Sequence, residues 1–241
     1  TVLGVPMGAL LGGSTNWRMP FVIVAAVAAL GVLLLATAME RTPAPTTGVG
    51  DEIRTLLRAP VLLAVATTTI GFAGVGLVFT YLVPLLSEVT GIAAGTIPGL
   101  LLAYGIGGFI GNLVAGRLAD LSVRATLVGV LLALILTLAV FPLLAPRPAP
   151  MIGAVLILGL LSTATIAPLQ SLVLHHAGAA PTLSLAVNVG AFNLANAIGA
   201  ALGGLGAAAG LLRWSGFGGA LLAAAGLGLA AAALRMDREA R

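Results

Sequence analysis

Tyr104-Gly-Ile-Gly-Gly-Phe-Ile-Gly-Asn-Leu-Val-Ala-Gly-Arg-Leu-Ala-Asp120-Leu-Ser-Val-Arg124 joins two long apolar stretches through a short charged turn. A helix needs about 20 apolar residues to cross a bilayer. Residues 98–118 and 125–144 each supply that, one on either side of Asp120. Arg117, Asp120 and Arg124 sit where a charged head reaches water or lipid headgroups, whereas one Arg at the bilayer centre costs at least about 2.5 kcal/mol. The stretch therefore predicts a helix hairpin whose turn marks a membrane face.

Composition extends that reading to the whole chain. Of 241 residues, 60% are hydrophobic and 7% charged, and the mean hydropathy is +1.17. A soluble domain carries about 25% charged residues, so the expectation is an all-α, polytopic integral membrane helix bundle with the lipid bilayer as its first partner. The basic balance comes from arginines dispersed over the ends of spans, which form no patch for nucleic acid. The absence of Cys excludes disulfides and thiolate metal sites, and the absence of Lys excludes a retinal Schiff base. Neither a His-Glu-x-x-His nor a Gly-x-Ser-x-Gly motif occurs, so no enzyme, cofactor or metal centre is expected.

The chain begins at Thr1 in mid-pattern, without an initiator Met or the basic region of a signal peptide, and the expectation is that an upstream part is missing. Residues 1–13 are apolar but too short to span, as a truncated first helix would be. Trp17 and Arg18 are interface residues. Seven complete spans follow, at 20–39, 60–86, 98–118, 125–144, 151–174, 183–209 and 215–234. Residues 42–58 form the one long polar stretch: Pro43, Pro45, Gly48 and Gly50 break structure before an amphipathic helical pattern resumes at Asp51. Alternate loops place Arg41, Arg54, Arg58, Arg117, Arg124, Arg235, Arg238 and Arg241 on one side, against Arg18, Arg147 and Arg213 on the other. The positive-inside rule then puts residues 42–58, the Asp120 turn and the C-terminus in the cytoplasm.

An internal repeat is visible. Gly8-Ala-Leu-Leu-Gly-Gly13 matches Gly199-Ala-Ala-Leu-Gly-Gly204 at five of six positions, and each copy is followed by a turn with Trp and Arg (Trp17-Arg18; Arg213-Trp214). Both copies have the same orientation, as halves related by an axis along the membrane normal would have. Chance matching among such common residues is the alternative.

Three stretches resemble the major facilitator superfamily, in its drug:proton antiporter branch and the arabinose efflux permease-like group. Gly116-Arg-Leu-Ala-Asp120 followed by Arg124 is similar to the family loop Gly-x-Leu-Ala-Asp-Arg-x-Gly-Arg, with Leu121, Val123 and Ala125 departing from it. Gly4-Val-Pro-Met-Gly8 with Gly12-Gly13 is similar to the antiporter motif of the fifth helix, and Asn16-Trp-Arg-Met-Pro-Phe21 to the entry of the sixth. The resemblance implies a major facilitator fold lacking its first four helices. Residues 1–41 would be the last two helices of the N-terminal half, 42–58 the cytoplasmic linker between halves, and 59–241 the C-terminal six-helix half with a short cytoplasmic tail. It implies proton-coupled efflux of sugars or amphiphilic drugs by alternating access, with a small-molecule substrate, protons and the missing N-terminal helices as partners, in the inner membrane. The alternative is a free-standing helical scaffold or channel-like subunit.

Asn188, Asn193 and Asn196 fall at about 0°, 140° and 80° around one helix, at 100° per residue, and so share a face. An unpaired amide in hydrocarbon costs several kcal/mol, so that face should look into the bundle, as interhelical glue or as cavity lining. Thr67, Thr68, Thr69, Thr80, Tyr81 and Gln170 pose the same choice, and the resemblance raises Tyr81, Gln170 and Asn193 as cavity candidates. Asn112 is expected to bond locally. Gly116, Asp120 and Arg124 form the candidate gating loop, with Arg124 one turn from Asp120. Gly4, Pro6, Gly8 and Gly12, with Gly199 and Gly203, form the candidate packing motif, whose small residues let helices approach closely. Pro84 and Pro168 should bend their spans. His175-His176 reads as an interfacial pair, since adjacent residues on a helix point apart. No Asp, Glu, Lys or Arg lies in the middle of a complete span, whereas proton relays normally need one. The resemblance puts that carboxylate in the missing helices.

Overall fold

The computed structural model describes residues 18–38, 49–178 and 180–239, and every regular element among them is helical. The helices are α1 (Met19–Ala38), α2 (Val49–Leu56), α3 (Ala59–Thr80), α4 (Ile97–Leu144), α5 (Pro148–Ala164), α6 (Ile166–His176), α7 (Pro181–Ala208) and α8 (Ser215–Glu239). The first packing motif (Gly4, Pro6, Gly8, Gly12), its copy of the repeat, and residues 39–48 lie outside the described residues.

Among the described residues, six helical stretches are long and apolar enough to cross a membrane, with α5 and α6 running on as one and α4 reaching 48 residues. α4 supplies two of the seven expected spans. Ser122 breaks it with an extended backbone, φ −161° and ψ 101°, and its Oγ accepts the N–H of Ala125 at 3.2 Å. That is the geometry of an N-cap, which starts a second helix where the first has stopped. Leu101 shares one buried cluster with Leu134, Leu138 and Phe141. On a straight helix Leu101 and Leu138 would stand about 55 Å apart, so the chain folds back at Ser122 as a hairpin.

Proline sets the other breaks. Pro84 has no N–H for the Thr80 carbonyl, and α3 stops at Thr80; Pro168 likewise cannot serve Ala164, where α5 stops. Past Tyr81 the chain continues through Leu82–Pro84 into a π turn, Leu85–Val89, closed by Thr90 N–H donating to the Leu85 carbonyl at 3.0 Å.

Within a bilayer, lipid tails are as apolar as Leu, so close packing rather than burial from water holds helices together. α3 is the central element, and its glycines take that role. Gly71 and Gly74 meet Gly226 and Gly219 of α8 backbone to backbone. Gly76 lies against Asn196 of α7, and a methyl on Gly199 would stand 2.5 Å from both the Ala73 carbonyl oxygen and the Leu77 nitrogen. The 97–121 arm of α4 packs on α5 in the same way, Gly111 against Leu160 and Gly159 against Tyr104. Its 123–144 arm meets α8, where Gly216 presses on Leu138 and Phe141. Arg213 Nε donates to the Pro142 carbonyl at 3.1 Å and pins the end of α4 to the start of α8.

The amphipathic pattern in the polar stretch forms α2, which places Thr55 in the interior and beside Gly178, a residue at φ +50° in the turn between α6 and α7. α1 stands apart: none of its residues is buried, and Gly31 has open space around it.

Candidate functional site

The 97–121 arm and α5 meet through polar side chains as well as glycines. Tyr104 donates its hydroxyl to Ser162 Oγ at 2.8 Å, and Ser162 Oγ donates on to the Gly159 carbonyl at 3.0 Å. Phe79 of α3 stacks on the Tyr104 ring, with centroids 4.9 Å apart. One turn further, Thr163 donates to the Gly108 carbonyl. Beside these bonds lies an open cavity of about 200 Å³ lined by Tyr104, Gly105, Gly108, Phe109, Asn112, Thr163 and Ile166. Sequence reasoning passed over Tyr104 as a site residue. The signal was the i, i+4, i+8 series Tyr104, Gly108, Asn112, which puts a phenol, a flat backbone patch and an amide on one helix face.

The three α7 amides are not brought together. Asn188 is fully buried, and neither its Nδ2 nor its Oδ1 has a hydrogen-bond partner among the described residues; Ser184, one turn before, is in the same condition. Asn193 is exposed and donates to the carbonyl of Val189 on its own helix at 3.0 Å. Asn196 is exposed at the edge of the Gly76 contact. The buried stripe of α7 runs through Ser184, Asn188, Ala191, Ala195, Gly199 and Gly203, and its direction along the helix leaves Asn193 and Asn196 outside it. Tyr81 lies half-buried over Gly203 and Gly204, with its hydroxyl 2.7 Å from where a Gly204 methyl would be. Gln170 is half-buried on α6.

At the turn, Gly116 has nothing within 4 Å of its missing side chain, and Asp120 and Arg124 are both exposed. No ion pair joins Asp120 to Arg117 or Arg124 among the described residues. The extended Ser122 accounts for the missing Arg124 pair, because it puts Asp120 at the end of one helix and Arg124 at the start of the next, where i, i+4 spacing no longer means one turn. A shallow apolar hollow lined by Leu118, Leu121, Ser122, Ala125, Thr126, Gly129 and Val130 lies within the hairpin.

A bundle of apolar helices that satisfy their own backbone groups is the architecture of a polytopic integral membrane protein. The chain belongs to the major facilitator superfamily, whose family profile matches residues 1–204. It is 38% identical over 94% of its length to the "Uncharacterized MFS-type transporter YfhI" of Bacillus subtilis (strain 168), covering 57% of that protein. It is 35% identical over 83% of its length to a "Chloramphenicol resistance protein" of Streptomyces lividans, covering 52% of it. It is 27% identical over 84% of its length to the "Purine ribonucleoside efflux pump NepI" of Escherichia coli O1:K1 / APEC, again covering 52%. The chain thus spans about half the length of the curated relatives it matches, and it is an integral membrane protein of a transporter family.

Proposed function

We propose that the chain is the C-terminal part of a secondary active efflux transporter that works by alternating access and is driven by protons. The observation that carries this reading is the contrast between a packed six-span bundle, residues 59–239, and the bare α1 beside it. An apolar helix that buries nothing is a helix whose neighbours belong to another part of the protein, and the family resemblance supplies that part as an N-terminal half. Residues 42–58 then link the halves in the cytoplasm. The C-terminus lies on the same side of the inner membrane as the Asp120 turn. Supporting this orientation is the arginine asymmetry, eight against three, and the even number of spans between residue 58 and the C-terminus. No carboxylate lies inside a described span, so the coupling acid belongs to the N-terminal half.

The test is paired. The whole gene product in proteoliposomes should move substrate when a proton gradient is imposed, whereas residues 1–241 alone should move none. Transport by residues 1–241 alone would end the two-half reading. Reporter fusions after Glu52 and Ser122 should report cytoplasm and those at Ser87 and Ala149 the outside, and reversal at Ser122 overturns the orientation. The gate is proposed at Gly116, Asp120 and Arg124. Asp120→Asn should then lower turnover while leaving substrate affinity within a few-fold, and loss of binding with turnover retained would move Asp120 into the binding site.

A further inference from the structure

α7 and α8 both pack on α3 and make little contact with each other. Beneath the turn that joins them, residues 209–214, lies an open groove of about 180 Å³. Leu77 of α3, Gly203 and Gly206 of α7, and Trp214, Ser215 and Gly218 at the start of α8 line it. A methyl on Gly206 would meet nothing within 4 Å, so the groove stays open along that side. An α-helix is about 10 Å across with its side chains, and a site for a drug-sized molecule needs about 300 Å³ or more. Neither fits, whereas a single hydrocarbon chain does.

The mouth of the groove is polar in a set order. The Arg213-Trp214 pair stands at the end of two spans, where Trp and Arg meet the membrane–water interface. Arg213 Nε donates to the Pro142 carbonyl at 3.1 Å, and its Cζ lies 5.3 Å from the centroid of the Trp214 ring, which itself stacks on Phe217. These contacts hold the guanidinium beside a residue that lines the groove, and its terminal N–H groups have no partner among the described residues. Glu88, in the π turn packed against residues 212–214, makes no ion pair with it. Next in the chain, Ser215 Oγ lines the groove, is enclosed from solvent and has no hydrogen-bond partner among the described residues. Beyond it the lining turns to hydrocarbon, reaching Leu202, about 9 Å deeper than the end of α7 at Ala208.

A cation, then an enclosed hydroxyl, then a hydrocarbon slot matches what a phospholipid presents along its length: phosphodiester, ester carbonyl, acyl chain. The guanidinium fork suits two phosphate oxygens at once. The Ser215 hydroxyl needs an acceptor, which an ester carbonyl supplies. A phosphate whose headgroup brings no cation of its own leaves its charge for Arg213 to neutralise, so an anionic lipid is favoured.

We infer that this groove is a binding site for one anionic phospholipid, with its phosphate on Arg213, an ester carbonyl on Ser215 and one acyl chain between α7 and α8. Such a site goes beyond general contact with the bilayer. It requires neither transport nor one particular orientation in the membrane.

The test uses the whole gene product in phosphatidylcholine vesicles with trace amounts of two photoreactive probes, a phosphatidylglycerol and a diacylglycerol that share one diazirine-bearing acyl chain. Peptide mass spectrometry maps where each attaches. Phosphatidylglycerol should concentrate its label on residues 202–218, and diacylglycerol should spread over the lipid-facing surface. Gly206→Phe, which puts a ring into the groove from a position with room for it, should cut that label about tenfold, the scale of 1.4 kcal/mol. Arg213→Gln should cut it about fivefold, as the loss of one Arg near a membrane surface implies, and Arg213→Lys should regain most of it. Ser215→Ala should cost about threefold, a modest hydrogen bond. Melting curves check folding, and if Arg213→Gln melts early for want of its Pro142 bond, Gly206→Phe and Ser215→Ala carry the test. Phosphatidylglycerol label that is even along the chain, or that survives Gly206→Phe at 202–218, overturns the site. So does its absence from 202–218, which would mean that another part of the protein fills the groove. Equal labelling of 202–218 by the two probes, or a loss in Arg213→Gln that Arg213→Lys does not regain, overturns the phosphate assignment.

Discussion

α1 and α3 are nearly the same length, and both are uncharged and apolar on every side, yet none of α1's 20 residues is buried while 11 of α3's 22 are. Hydropathy does not separate them. What separates them is glycine: α3 offers Gly71, Gly74 and Gly76 to three backbone-to-backbone contacts, whereas the single glycine of α1, Gly31, touches nothing. In water an exposed apolar helix would be a defect. In lipid it costs little, because lipid tails are as apolar as the Leu or Val of a neighbouring helix. Apolarity decides that a helix spans; small residues decide which helices meet.

The largest effect should come from breaking α3's contacts. A side chain at Gly74 would run into the backbone of Gly219, which cannot move aside as a flexible side chain can. Gly74→Val should cost about 3 kcal/mol, at the upper end of what overpacking usually costs, or prevent assembly. Thermal melts in detergent read this directly, and Gly31→Val in residues 1–241 should leave the melt unchanged. Equal effects at the two glycines would erase the contrast between the helices. In the whole gene product, a Gly31→Val effect that appears only there would show where α1 finds its neighbours.

The next effect has the opposite sign. Asn188 is buried with every side-chain hydrogen-bonding group unmet among the described residues, so Asn188→Leu should stabilise the bundle by about 2 kcal/mol, the usual desolvation penalty of such a group. A destabilised variant would mean that the amide has a partner in the working protein. Tyr104→Phe, which removes the hydroxyl bonded to Ser162 and leaves Ser162 bonded to Gly159, should lower stability by about 1 kcal/mol; a double-mutant cycle with Ser162→Ala should show coupling, and additivity would remove the bond from the ledger. Smallest of all, Asp120→Asn should leave the melting temperature within error of wild type, because Asp120 is exposed and has no ion-pair partner among the described residues. A clear shift would show that the turn is held by charge after all.

The spans were legible in the sequence because length and apolarity depend only on local composition. So were the α2 helix, whose amphipathic pattern is local, and the breaks before Pro84 and Pro168, which follow from a missing N–H. The hairpin turn was legible from its charges, although Ser122 as the residue that bends was not: an N-cap reads as one only when the helix before it is known to stop. The α7 amides show the limit most clearly. Their angular spread suggested one inward face, but which edge of that spread is buried depends on where α3 and α6 lie, and Asn188 alone fell inside the stripe. Asn112 escaped for a related reason: expected to bond to its own helix, it is exposed and makes no side-chain hydrogen bond among the described residues, a choice that turns on a rotamer that sequence does not encode.

The glycine contacts of α3 also have a history in time. Its partners on α7 and α8 lie about 125 and 145 residues downstream, judged by Gly199 against Ala73 and Gly219 against Gly74. At 5–20 residues per second the ribosome takes roughly 7 to 30 seconds to deliver the last of them. Throughout that interval the helix that ends at the centre of the bundle waits in the membrane with its most adhesive face uncovered. The newborn chain is therefore exposed to wrong helix pairing for longest at α3, and that is the point at which an insertase or a membrane chaperone would have most to protect.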